Sequence, residues 1–283
     1  MELPDGWERV SADGPGPFVT REVLRSPDGR LVEWRSRPHR KRAGRARAGV
    51  WWRPDRTAWW IGVLFAIGSV CFLVASMVSQ WASAPRSGIG VTFFVGSLLF
   101  TSAGYLQYAE TVNVDRGPGR RGRERWRPVS WEPARIDWLA AAVQFAGTLL
   151  FNVTTFEAMK RGLDTRQSNL RVWTPNALGS ICFLVASTLA FAEVCHRWTC
   201  VRRRSLSWWI VALNLLGSVA FGVSAAAALI EPSTNEPVSA AIANAGTSLG
   251  AACFLLGAVL LLPEARAHEA APADGPTRPR AAV

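Results

Sequence analysis

The chain has 283 residues, 49% hydrophobic and 19% charged, with a formal net charge of +11. The charges lie almost wholly between long apolar runs, a segregation that excludes an ordinary soluble globular domain. Histidine and cysteine are too sparse, at three and five residues, to suggest a metal centre.

Residues 1–57 read as a basic N-terminal segment. Its first residues lack the charged-then-apolar pattern of a cleaved leader. Val23-Leu24-Arg25, Ser26-Pro27-Asp28-Gly29 and Leu31-Val32-Glu33-Trp34 have strand–turn–strand chemistry, a short β-hairpin. The Arg37–Arg47 stretch follows with Trp51 and Trp52, and reads as a contact to anionic lipid headgroups, each charge contributing ~1 kcal/mol. No nucleic-acid reader fold accompanies the charge, so no nucleic-acid partner is expected.

Six apolar runs come next, near 59–80, 89–109, 137–159, 175–195, 207–230 and 238–262. Each can cross about 30 Å of hydrocarbon as a helix rising about 1.5 Å per residue. The expected fold class is therefore all-α, a polytopic membrane protein with six transmembrane helices spanning 58–264. Residues 265–283, rich in Ala, Pro and Arg, read as a disordered tail.

Arginines crowd the segment before span 1 and the connections between spans 2 and 3 and between spans 4 and 5. The positive-inside rule then puts both termini in the cytoplasm, against one dissenting loop with Lys160, Arg161, Arg166 and Arg171. Only Lys41 and Lys160 are lysine, a bias that suggests a GC-rich bacterial genome and hence the bacterial inner membrane. Trp59, Trp60, Trp138, Trp208 and Trp209 are expected at the inner interface, and Trp81 and Trp173 at the outer one.

Every span holds one copy of Gly-Ser/Thr-x-x-Phe, the last with Ala second. The copies are Gly68 and Phe72, Gly96 and Phe100, Gly147 and Phe151, Gly179 and Phe183, Gly217 and Phe221, Gly250 and Phe254. Residues four apart share a helix face, so each pair offers a hole and a knob at mid-membrane depth. Odd spans carry a Trp nine residues before the Gly (Trp59, Trp138, Trp208), and even spans a Glu fourteen after it (Glu110, Glu193, Glu264). The unit is thus a two-helix hairpin in three tandem repeats, about 50–110, 131–193 and 201–264.

With phrases such as Gly179-Ser180-Ile181-Cys182-Phe183-Leu184-Val185, the stretch 50–265 resembles the YrhK-like family of small bacterial membrane domains. The resemblance implies a fold and a membrane address, and no site residues.

Gln144, Asn176, Asn214 and Thr247 each lie three residues before a motif Gly and form a candidate polar seam. It reads either as hydrogen-bonded packing between helices or as the lining of a path for a small neutral solute. No ionisable residue falls in the middle of a span, which argues against ion-coupled transport. Glu110, Glu193 and Glu264 read as salt-bridging or headgroup-level anchors. Cys195-His196-x-x-x-Cys200 reads as a reduced thiol pair rather than a metal site. No nucleophile–base or paired-carboxylate arrangement is visible, so no enzyme and no cofactor are expected. The expected partners are the lipid bilayer, anionic headgroups and an unidentified protein.

Overall fold

The computed structural model describes residues 5–41, 54–80, 86–113 and 126–270. Three antiparallel strands open the chain, β1 Glu8–Asp13, β2 Arg21–Arg25 and β3 Leu31–Arg35, in the order β1-β2-β3. The β2–β3 pair joins Val23 to Glu33 and Leu24 to Val32 around the Pro27-Asp28-Gly29 turn, while the additional strand β1 pairs with β2 through an irregularity near Ser11. A short helix, α1 Ser36–Lys41, follows directly.

The remaining elements are α2 Thr57–Val78, α3 Arg86–Asn113, α4 Ile136–Glu157, α5 Thr165–Ser168, α6 Thr174–Cys195, α7 Leu206–Ala227 and α8 Ala240–Ala270. A π turn, Asn169–Trp173, fuses α5 to α6. Six of these helical stretches are long and apolar enough to cross a membrane. The last runs further than expected, since α8 continues through Pro263 to Ala270 rather than ending before 265. Trp81 and residues 271–283 lie outside the described residues.

Each long helix packs on its neighbours in sequence, and α8 returns to α2, so the six form a closed ring. Within a pair, the motif residues exchange. A Cβ on Gly68 would meet the Phe100 ring at 2.6 Å, and one on Gly96 would meet Phe72 at 3.0 Å. Gly147 and Gly179 exchange with Phe183 and Phe151, and Gly217 and Gly250 with Phe254 and Phe221. Backbone nears backbone there: the Gly96 carbonyl is 3.0 Å from a Cβ on Gly68, and that of Gly217 3.0 Å from one on Gly250. Where lipid removes the hydrophobic drive between helices, such close approach is what holds them together.

The six rings meet on the axis as one apolar cluster. Phe72, Phe151 and Phe221, from helices running one way, touch one another with centroids 6.0–6.5 Å apart. Phe100, Phe183 and Phe254, from helices running the other way, form a second triangle at 5.6–6.3 Å. Ring contacts of 5.2–5.6 Å within each pair join the two triangles.

Between pairs, side-chain hydrogen bonds join the helices. Ser97 and Thr155 share a 2.9 Å hydrogen bond, Asn152 donates to Thr101 at 2.8 Å, and Gln107 donates to Gln144 at 3.2 Å across α3–α4. Ser187 and Ser218 join α6 to α7 at 2.6 Å, and Ser76 and Ser248 join α2 to α8 at 2.8 Å. Each such contact contributes about 0.6 kcal/mol in lipid.

Trp138 and Trp208 each donate the indole N–H to a carbonyl eight residues earlier, Ser130 and Cys200, both at 2.9 Å. Trp59 and Trp138 are buried in protein, which corrects the expectation that they anchor at the lipid interface; Trp60 and Trp209 remain exposed.

Candidate functional site

The N-terminal module closes one mouth of the ring. Ser36 and Thr20 tie β2 to α1 through a backbone bond of 3.0 Å, and α1 lies against α6 and α8 and reaches the start of α4 through Arg40. On a helix, residues 37 and 40 share a face. Arg37 grips Glu264 with two parallel bonds, Nε to Oε1 at 2.9 Å and Nη2 to Oε2 at 3.0 Å. Arg40 donates Nη1 to Asp137 at 3.0 Å and to Glu193 Oε1 at 3.2 Å, and Nη2 to Glu193 Oε2 at 3.3 Å. Ser36 Oγ adds a 2.6 Å bond to Glu193. Arg135 holds Asp137 from the loop side at 2.6 Å.

All these groups are nearly sealed from solvent: the Arg40 side chain is 9% exposed, Asp137 7% and Glu193 2%. Burial alone would lower the Arg40 pKa, but the charges of Glu193, Asp137 and Glu110 outweigh it and raise it above its ordinary value. Glu193 and Glu264 thus salt-bridge, as the sequence suggests. Their partners correct it, because Arg37 and Arg40 are buried in the bundle mouth and cannot meet lipid headgroups. The face-sharing spacing of Arg37 and Arg40 just after the hairpin is the signal that could have found this contact.

Behind the arginines lies a cavity of about 60 Å³, lined by Gln107, Thr111, Gln144 and Asn214 on its polar side and by Phe65 and Phe254 on its apolar side. A water needs about 10–15 Å³ of such space, so the chamber can hold a few. It ends at the phenylalanine layer.

The four seam residues do not share this chamber. Gln144 and Asn214 line it, whereas Asn176 lines a groove of about 850 Å³ on the far face with Trp173 and Lys160. Thr247 bonds Ser224 at 2.7 Å. The reason is direction: neighbouring helices run oppositely, so three residues before the Gly is one side of the glycine level on α4 and α7 and the other side on α6 and α8. On the α4 face that Gln144 shares with Asn152 and Thr155, all three side chains bond α3.

A second correction concerns the cysteines. Cys195 and Cys200 are joined in a disulfide. Between them His196 caps α6 in the left-handed conformation, φ 56°, and its Nδ1 lies 2.9 Å from Thr20 Oγ1. Burial, then Arg202, Arg35 and Arg21, push the His196 pKa down to about 4, with Glu193 opposing. A histidine free in an unfolded chain titrates near 6.5. The folded state therefore binds fewer protons between those values, and stability present above about pH 6.5 is lost as pH falls toward 4. The expected result is a melting temperature that drops across that window. His196→Asn, which tolerates φ > 0, should flatten the drop, as thermal unfolding at stepped pH would read.

Among the described residues no cluster of His, Cys, Asp and Glu is arranged to hold a metal ion. The arrangement can seal a mouth, hold water and bind a guanidinium. Comparison with family models, curated proteins and solved structures gave no match.

Proposed function

We propose that the chain is a non-enzymatic component of the bacterial inner membrane, akin to the YrhK-like family, built from three repeated hairpins and closed to permeation. Its arginine-rich face, with both termini, lies in the cytoplasm and contacts anionic lipid or a protein partner. The observation that carries the reading is the pair of phenylalanine triangles filling the axis. Arg197, Arg203 and Arg204 remain exposed on the face that holds the N-terminal module, where each charge near an anionic surface contributes ~1 kcal/mol.

Proteoliposomes should pass water and small neutral solutes no faster than empty vesicles. The purified protein should retain phosphatidylglycerol over phosphatidylcholine. Replacing Arg197, Arg203 and Arg204 together by Gln should reduce that enrichment roughly tenfold or more at low salt; native mass spectrometry reads it, and unchanged enrichment rejects the lipid contact.

The Gln107–Gln144–Asn214 chamber supports a second reading, a facilitator for a small neutral solute with α1 as its cover. Solute flux above the empty-vesicle rate that falls with Asn214→Leu would favour it over the closed bundle.

A further inference from the structure

The end of α6 and the turn that follows it touch the N-terminal module at three places. Glu193 accepts from Ser36 and Arg40 of α1, and His196 meets Thr20 beside β2. The Trp198 ring lies against the β1–β2 connection, 3.7 Å from where a Cβ on Gly16 would stand. This same turn is closed by the Cys195–Cys200 disulfide, with Cα atoms 5.5 Å apart. The loop so formed holds His196 in a left-handed conformation that a non-glycine residue adopts reluctantly. Opening the crosslink frees His196 to return to negative φ, which carries its ring away from Thr20 and loosens the backbone two residues from Glu193.

On a face turned to the cytoplasm, thiols are kept reduced, and a disulfide there is ordinarily transient, catalytic or sensing rather than a permanent staple. We propose that Cys195 and Cys200 form a thiol–disulfide switch that governs docking of the N-terminal module: docked as the disulfide, released as the dithiol. This rests on the orientation proposed above. Release would uncover Asp137, Glu193 and Glu264 together with the chamber behind them.

The exchange needs a dithiol reductant. Cys195 is fully buried and Cys200 only partly so, which leaves Cys200 Sγ as the sulfur open to attack. One thiolate of the reductant bonds to Cys200 Sγ as the S–S bond breaks, and Cys195 leaves as a thiolate that takes up a proton. The second thiol of the reductant then displaces Cys200, so the protein gains two thiols and the reductant becomes a disulfide. Reoxidation by a small-molecule disulfide runs the same steps backward.

The test is hydrogen–deuterium exchange of the α1 amides in the full chain held in lipid nanodiscs. A six-residue helix cannot persist away from the bundle, so its amides report release. Adding a dithiol to the folded, oxidised protein should speed α1 exchange roughly tenfold. A Cys195→Ser, Cys200→Ser double variant should exchange at the fast rate without reductant and show no further change with it. Equal α1 exchange in oxidised and reduced protein overturns the switch, and the untouched wild-type chain decides this even if the variant misfolds. A membrane-impermeant maleimide applied to oriented vesicles locates the reduced Cys200. Labelling from outside together with accelerated α1 exchange would overturn the orientation and uphold the switch. Labelling from the cytoplasmic side with unaltered α1 exchange would do the reverse.

Discussion

Gly68→Val is expected to destabilise the bundle by about 3 kcal/mol. A Cβ there would stand 2.6 Å from the Phe100 ring and 3.0 Å from the Gly96 carbonyl oxygen. The ring could yield only by pushing into Phe65, Phe72, Phe183 or Phe254, which already touch it. The carbonyl belongs to the facing helix and could yield only if α2 and α3 separate, which would strip contact from the whole hairpin. Gly222 provides the contrast. It lies four residues after Ser218 on the same helix face, yet nothing lies within 4 Å of a Cβ placed there. Gly222→Ala should be neutral or stabilising by ~0.5–1 kcal/mol, because alanine loses less backbone entropy in a helix. Thermal unfolding of both variants in the same detergent separates the two outcomes, and equal melting temperatures would reject the nested-glycine account.

Arg40→Met should cost about 3 kcal/mol of docking free energy while leaving the six-helix ring assembled. The side chain's length and apolar stem survive the change, so packing is largely kept. What disappears is the cation that neutralises Glu193 and shares Asp137 with Arg135. A carboxylate left buried without its partner is expensive, and the cheapest relief is to let water in by detaching α1. Accelerated exchange at α1, with unchanged exchange in α2–α8, is the expected pattern. Exchanging the charges, Arg37→Glu with Glu264→Arg, should restore more docking than either single change leaves. An Arg40→Met protein whose α1 exchanges like the native chain would mean that Arg37, Ser36 and the strands hold the module without Arg40.

The helical frame is legible in the sequence because its rule is local. Glycine and phenylalanine four apart occupy one face of a helix, and six copies at one depth can nest only with one another. The β2–β3 hairpin is legible for the same kind of reason, in its turn residues. The docking of α1 is legible only in part: the spacing of Arg37 and Arg40 puts them on one face, but nothing in the sequence marks Glu264, Glu193 and Asp137 as their partners until the fold brings these across the length of the chain. The polar seam misleads because a fixed offset from glycine means opposite depths on antiparallel helices, so Gln144 and Asn176 share a register and not a place. Cys195 and Cys200 carry no pairing signal in a five-residue spacing around a histidine; only the turn that follows α6 brings their Cα atoms together.

Six rings from six helices meet on one axis. Magic-angle-spinning NMR of the protein in lipid, labelled only in its phenylalanine rings and assigned by single Phe→Leu changes, tests it most directly. Phe72 on α2 and Phe221 on α7 belong to helices that are not neighbours in the ring, and their centroids lie 6.2 Å apart. A cross-peak between them is the predicted result. Cross-peaks confined to hairpin mates, Phe72 with Phe100 and Phe221 with Phe254, would contradict it and leave the axis open.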